Sequence, residues 1–203
     1  AVELLTAIVF CLVFWQIGLT PYLPAALAFT AAIIALVFID AEHMILPNVI
    51  TYPMFVIALA VRIVLPIGFA YVFSDTTYTP ISSLHGWPAW ALSLAGALFG
   101  ALVGGGSLWL VGAIWKALRG VDAMGLGDVK LLFGIGAFLG WRLTLLTIFL
   151  GAFTGALAGI VVVLRQKHRD LQTQIPFGIF LGIGSIVAML FGERLIQWYL
   201  GQF

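Results

Sequence analysis

The sequence predicts an all-α fold, a bundle of about seven transmembrane helices, and three observations carry that reading. Of its 203 residues, 63% are hydrophobic and only 8% are charged, against about 25% charged in a water-soluble domain. The apolar residues fall in runs of helix-spanning length, separated by short polar or proline-containing breaks. No segment alternates polar and apolar residues as a strand would, and a membrane barrel would need many such ten-residue segments. The same composition excludes a disordered chain, which needs low hydrophobicity and high charge. A net charge of +1 leaves no basic surface for nucleic acid. The lipid bilayer is the expected surrounding, and residues 1–203 are expected to form one domain.

The elements follow in order. A first helix is predicted over residues 2–19, ending at Thr20-Pro21, and a second over residues 23–39, reaching Asp40. Pro47 allows a turn, and a third helix continues over residues 48–65. Residues 66–88 are more polar and read as the one long loop. The fourth helix covers residues 89–118. Its Gly100 and Gly104-Gly105-Gly106 favour a close helix contact or a break. A second polar connection spans residues 119–127. The fifth helix is short, at residues 128–139, and the sixth and seventh cover residues 143–164 and 177–199. Gly151, Gly155 and Gly159 put a small-residue ridge on the sixth helix, which reads as helix packing.

Cys11 lies in an apolar run and is expected to pack there. With one cysteine and three scattered histidines, neither a disulfide nor a metal site is expected, and no cofactor. The first segment lacks the basic start and small-residue cleavage site of a signal peptide.

Charge predicts the orientation. Lys116, Arg119, Lys130, Arg165, Lys167 and Arg169 fall on one side, and only Arg62, Arg142 and Arg194 on the other. The richer side is expected to face the cytoplasm by the positive-inside rule. The long loop then lies outside, with Trp87, Trp90, Trp141 and Trp198 forming an interfacial belt beside it.

Asp40 and Asp128 stand out among five aspartates. Asp75 and Asp170 read as solvated loop residues, and Asp122 lies in a polar connection. Asp40 ends one apolar helix, where a negative charge is disfavoured. Asp128 begins another. An ionisable side chain at membrane depth is a functional candidate by default. Taken alone, Asp128 could be a helix cap, and Asp40 could pair with Lys130 or His43. Two carboxylates brought together offer more. Like charges a few ångström apart do not both ionise easily, so the pair holds one proton. One member can then activate a water and the other protonate a carbonyl oxygen, which suits peptide hydrolysis without a covalent intermediate. Gly125 and Gly127, in Gly125-Leu126-Gly127-Asp128, would let backbone approach this acid closely.

Phe38-Ile39-Asp40-Ala41-Glu42-His43-Met44-Ile45-Leu46-Pro47-Asn48 resembles the first aspartate motif of the prepilin peptidases. Gly125-Leu126-Gly127-Asp128-Val129-Lys130-Leu131-Leu132 resembles their second, and Ile175-Pro176-Phe177-Gly178 the signature of their last helix. Val2-Glu3-Leu4-Leu5-Thr6-Ala7 is similar to the start of their membrane domain. The resemblance covers nearly the whole chain, with the motifs in order. It implies a Gly-x-Gly-Asp aspartic peptidase of the bacterial inner membrane. Such enzymes cut the basic leader from type IV prepilins and type II secretion pseudopilins after a Gly, at the cytoplasmic face. By the resemblance, Asp40 and Asp128 are the catalytic pair. Gly125, Gly127, Lys130, Glu42, Pro47, Asn48, Pro176, Phe177 and Gly178 are the supporting residues.

This chain departs from the family pattern at three points. Many members have Asp where this chain has Asn48, which favours Asp40 as the first acid. The last signature commonly continues with Pro, and here with Ile179. Many bacterial relatives also methylate the new pilin N-terminus and carry a domain with paired Cys-x-x-Cys motifs. Cys11 alone offers no such site, so a methyltransferase role is not expected of these residues. Other readings stay open: a preflagellin or Flp-type pilin peptidase, another Gly-x-Gly-Asp intramembrane protease, or a small ion or proton transporter using the two acids as ligands.

Overall fold

Seven helices make up the described part of the chain. The computed structural model describes residues 2–66, 86–120, 125–165 and 176–202. The helices are α1 (Val2–Ile17), α2 (Leu23–His43), α3 (Asn48–Val64), α4 (Ala89–Arg119), α5 (Leu126–Leu139), α6 (Trp141–Arg165) and α7 (Phe177–Leu200). No strand occurs among the described residues. The long polar loop and its Asp75, together with Asp122, Lys167, Arg169 and Asp170, lie outside the described residues.

Among the described residues, four helices are long and apolar enough to cross a bilayer: Leu23–His43, Ala89–Arg119, the Trp141–Val162 part of α6, and Phe177–Leu200. Large apolar side chains such as Leu4, Trp15, Val49, Phe149 and Leu164 are exposed. In water such a surface would aggregate, and in lipid it is the correct exterior. The chain is a multi-pass membrane protein. Cys11, expected to pack, is exposed on α1, because α1 keeps only Val13 buried.

At the centre lies α5. Val129, Leu131, Leu132 and every residue from Gly134 to Leu139 are buried. A helix apolar on all faces is stable only when enclosed, and α3, α4, α6 and α7 all pack against this one. At about 1.5 Å per residue its 14 residues reach roughly 21 Å, short of a ~30 Å hydrocarbon core. Glycines allow the tightest contact. A side chain on Gly100 would run into the Gly136 carbonyl, and one on Gly136 into Gly100, so α4 and α5 cross backbone to backbone. Immediately beyond, Leu102–Gly106 form a π-helical turn. Gly104 faces the Leu132 carbonyl, and Gly105 faces the Phe133 ring. The glycine cluster thus marks both a close contact and a break in regular winding. Gly151 meets Leu181, and Gly155 meets Phe180, so the sixth-helix ridge packs on α7 at these two positions.

Helix ends differ from expectation where local geometry overrides composition. The second helix runs past Asp40 to His43 and stops because Met44 turns left-handed (φ 54°), its N–H donating to the Asp40 carbonyl at 2.9 Å. The fifth begins at Leu126 with Gly125 as its cap, so Asp128 is the third helical residue and not the cap. The first stops two residues early at a left-handed Gly18 (φ 68°). The sixth starts at Trp141, one residue after the chain reverses at Gly140 (φ 81°).

Candidate active site

Three helix ends converge: the C-terminal end of α2, the N-terminal end of α5 and the N-terminal end of α7. Asp40 sits in the last turn of α2 and is 5% exposed. Asp128 sits in the first turn of α5 and is partly exposed. Between them is Gly178. The point where a side chain would begin on Gly178 lies 2.6 Å from Asp40 Oδ2 and 3.2 Å from Asp128 Oδ1. Those two distances bound the separation of the two oxygens at about 6 Å or less. Any larger residue at 178 would occupy the space that the two carboxylates share.

The Pro176-Phe177-Gly178 segment acquires a physical meaning here. Pro176 caps α7 in an extended conformation (φ −64°, ψ 112°), where its missing N–H costs no hydrogen bond. The next amides belong to the first helical turn and have no partner within the helix. The backbone amides of Gly178 and Ile179 face the Asp40 carboxylate, so the positive end of the α7 dipole lies beside an acid. Phe177 packs partly buried against the core.

The other sequence candidates divide. Gly127 is a packing glycine: a side chain there would start 3.1 Å from Leu46 Cβ. Gly125 is exposed, adopts an ordinary extended backbone (φ −69°, ψ 135°), and a side chain on it would meet nothing closer than 3.9 Å. Close approach therefore applies to Gly127 and not to Gly125. Lys130 does not reach for Asp40. Its Nζ donates to Asn48 Oδ1 at 2.9 Å and lies 5.2 Å from the centre of the Tyr52 ring. That bond ties α5 to the first residue of α3. Pro47 caps α3, and its carbonyl accepts from the amides of Ile50 and Thr51. Glu42 and His43 are exposed, on a different face of α2 from the buried Asp40.

Two contributors were not singled out from the sequence. Leu46 is buried (9% exposed) against both Gly127 and Gly178. Ile179 contributes its backbone amide, which no side-chain reading could find. The other end of the bundle holds Arg62, fully buried, with Nε donating to the Ala137 carbonyl at 3.2 Å. Arg62 is thus inside the bundle and does not belong to the surface charge on its side.

Known proteins with the same sequence features were found. The type IV leader peptidase family matches over residues 27–160. A prepilin leader peptidase/N-methyltransferase of Pseudomonas aeruginosa is 36% identical over 199 residues, which is 98% of this chain and 60% of that protein. Proteins of the same name from Aeromonas hydrophila and Aeromonas salmonicida are 33% and 34% identical over 202 and 201 residues, 100% and 98% of this chain. The chain spans 61% and 60% of their length. No solved structure matches. With two thirds of its length matched by the family and similarity to these relatives running along nearly all of it, the chain belongs to the type IV leader peptidase family.

Proposed function

We propose that this chain is the membrane domain of an aspartic endopeptidase that removes the basic leader from type IV prepilins and type II secretion pseudopilins. The observation that carries the reading is the meeting of Asp40 and Asp128 at Gly178, two acids from separate helices that share the space a side chain there would fill. The chemistry follows from that arrangement. Two carboxylates within about 6 Å repel one another, which favours a state with a single proton on the pair. The ionised carboxylate takes a proton from a water lying between the two, and the water oxygen attacks the scissile carbonyl carbon. The protonated partner donates to the carbonyl oxygen. On collapse the C–N bond breaks, the leaving amine takes the proton that came from water, and a hydroxyl of the tetrahedral intermediate returns its proton to the pair as C=O reforms, so no covalent enzyme intermediate is needed. Which oxygen holds the proton is a property of the pair and not of either residue.

The polar helix ends favour this use. A helical peptide bond is shielded by its own hydrogen bonds, so a substrate must be unwound where it is cut. Partly exposed Asp128 and exposed Gly125 border such a place. Lys116, Arg119 and Lys130 lie at this end of the bundle, against Arg142 and Arg194 at the other, where Arg62 is internal. By the positive-inside rule this excess supports a cytoplasmic position for the acids, at a bacterial inner membrane.

The test is incubation of the purified protein with a model prepilin in detergent, reading the new N-terminus by mass spectrometry. A single cut after Gly, lost in Asp40→Asn, is the expected result. No cut, or a cut that persists in both Asp40→Asn and Asp128→Asn, rules the reading out.

A further inference from the structure

Leu46 is an apolar residue in an apolar chain, and its type singles out nothing. Its placement does. It follows Asp40 by six positions, and the left-handed Met44 turns the chain so that Ile45 stays exposed while Leu46 points inward. Three segments meet on its side chain. Its Cβ and Cδ1 lie 3.1 and 3.3 Å from where a side chain would begin on Gly127, the residue before Asp128. Its Cδ1 lies 3.1 Å from the same point on Gly178, which in turn is 2.6 and 3.2 Å from the two carboxylates. Leu46 therefore links the α2 turn that follows one acid, the α5 turn that carries the other, and the α7 turn between them.

Resting on the peptidase reading for its role in cleavage, we infer that Leu46 is a positioning residue that sets the separation of Asp40 and Asp128. Interiors are close-packed, and neighbours fill a lost side chain only by moving. The branched leucine end reaches Gly127 and Gly178 together. Alanine would keep only the contact at Cβ, leaving the first turns of α5 and α7 free to shift. An ångström of misplacement at reacting groups costs on the order of 10²-fold in rate. A looser pair also repels less, so the pH window in which it holds a single proton narrows.

Among the described side chains, the other titratable groups at this end are Glu42 and His43 on α2, Tyr52 on α3, Lys116 and Arg119 ending α4, and Lys130 on α5. Glu42 and His43 are exposed, and Lys130 is turned to Asn48 and Tyr52. On α7, Glu193, Arg194 and Tyr199 lie at the far end. None of these is moved directly by trimming Leu46.

The experiment compares Leu46→Ala and Leu46→Met with the unaltered chain in detergent. Prepilin cleavage is followed across pH, and the aspartate carboxyls, labelled with 13C, are titrated by NMR. Leu46→Ala is expected to lower kcat by about 10²-fold with KM within about threefold, and to narrow the one-proton window by both readings. Leu46→Met, nearly equal in volume, is expected to restore both. Full activity in Leu46→Ala overturns the inference. So does a loss of kcat with an unchanged window, which would mean a purely structural role. The NMR window needs no substrate. If the unaltered chain cleaves no prepilin, the peptidase reading fails, while a narrowed or unchanged window still decides the spacing. If Leu46→Ala does not fold, Leu46→Val gives the same two readings at smaller amplitude.

Discussion

The two ends of α5 bring charge into an apolar bundle in opposite ways. At the C-terminal end, Arg62 is fully buried and donates to the Ala137 carbonyl, a group in the last turn that has no acceptor role within the helix. A cation at the negative end of a helix dipole is favourable, so this charge serves the fold. At the N-terminal end, Asp128 alone would also suit its dipole. A second acid, Asp40, faces it across Gly178, and two like charges brought together oppose folding. Such a cost persists where it is used. The comparison teaches that a charge at membrane depth is informative through its partner: a helix end explains Arg62, and a helix end favours each acid singly, but not the bringing of the two together.

The largest test breaks the pair itself. Asp40→Asn and Asp128→Asn should each lower prepilin cleavage by at least ~10³-fold, with the double variant little worse, because residues acting as one unit fail together. Thermal unfolding in detergent should change by no more than about 1 kcal/mol in either, since each amide gives up a favourable helix dipole while relieving a repulsion. Gly178→Ala comes next. Its added carbon would lie 2.6 Å from Asp40 Oδ2, so the acids must part. A loss on the order of 10²-fold in kcat is expected. Activity near that of the unaltered chain would mean that the space between the acids is not used.

The other end of α5 should respond in the reverse sense. Arg62→Ala removes a buried donor and leaves a cavity, so a loss of about 2–4 kcal/mol in stability is expected. The kcat of the molecules that remain folded should stay within about threefold. If Arg62→Ala instead abolished cleavage at full stability, the division between a structural and a catalytic end would be wrong. Orientation can be read separately. In a Cys11→Ser background, Trp87→Cys should react with an impermeant thiol reagent added outside intact cells. Arg119→Cys should react only after the membrane is opened. The reverse pattern would refute the cytoplasmic placement.

The helices were legible because apolar runs and polar breaks follow directly from the bilayer's thickness. The two acids were legible because a carboxylate is conspicuous in a chain with 8% charged residues. Other features depended on contacts that composition does not encode. The extension of α2 to His43 rests on a left-handed Met44, a conformation usually left to Gly or Asn. The internal position of Arg62 depends on a carbonyl 75 residues away. Leu46 could not be distinguished from other leucines until the glycines it touches were in place. Gly125 and Gly127 looked equivalent as letters, yet only Gly127 is pressed against a neighbour.

A smaller effect is expected at Lys130. Its bond to Asn48 joins α5 to α3 beside the acids, but it is exposed, and such bonds contribute about 1 kcal/mol. Lys130→Met should lower kcat less than about tenfold, and Asn48→Asp, which turns the bond into an exposed ion pair, should change little.

Glu42→Gln probes the choice of first acid with the smallest expected change. Glu42 lies two residues after Asp40 in a helix that continues to His43, so at about 100° per residue it points to another face. It is exposed while Asp40 is buried. An exposed carboxylate stays solvated. Its remaining use is long-range attraction of a basic leader. Glu42→Gln should then raise KM by less than about threefold at low salt, with kcat unchanged. The difference should vanish as salt screens the charge. A dead Glu42→Gln beside an active Asp40→Asn would transfer the role of first acid to Glu42. Asp40 would then join Arg62 as a charge whose explanation lies in the fold.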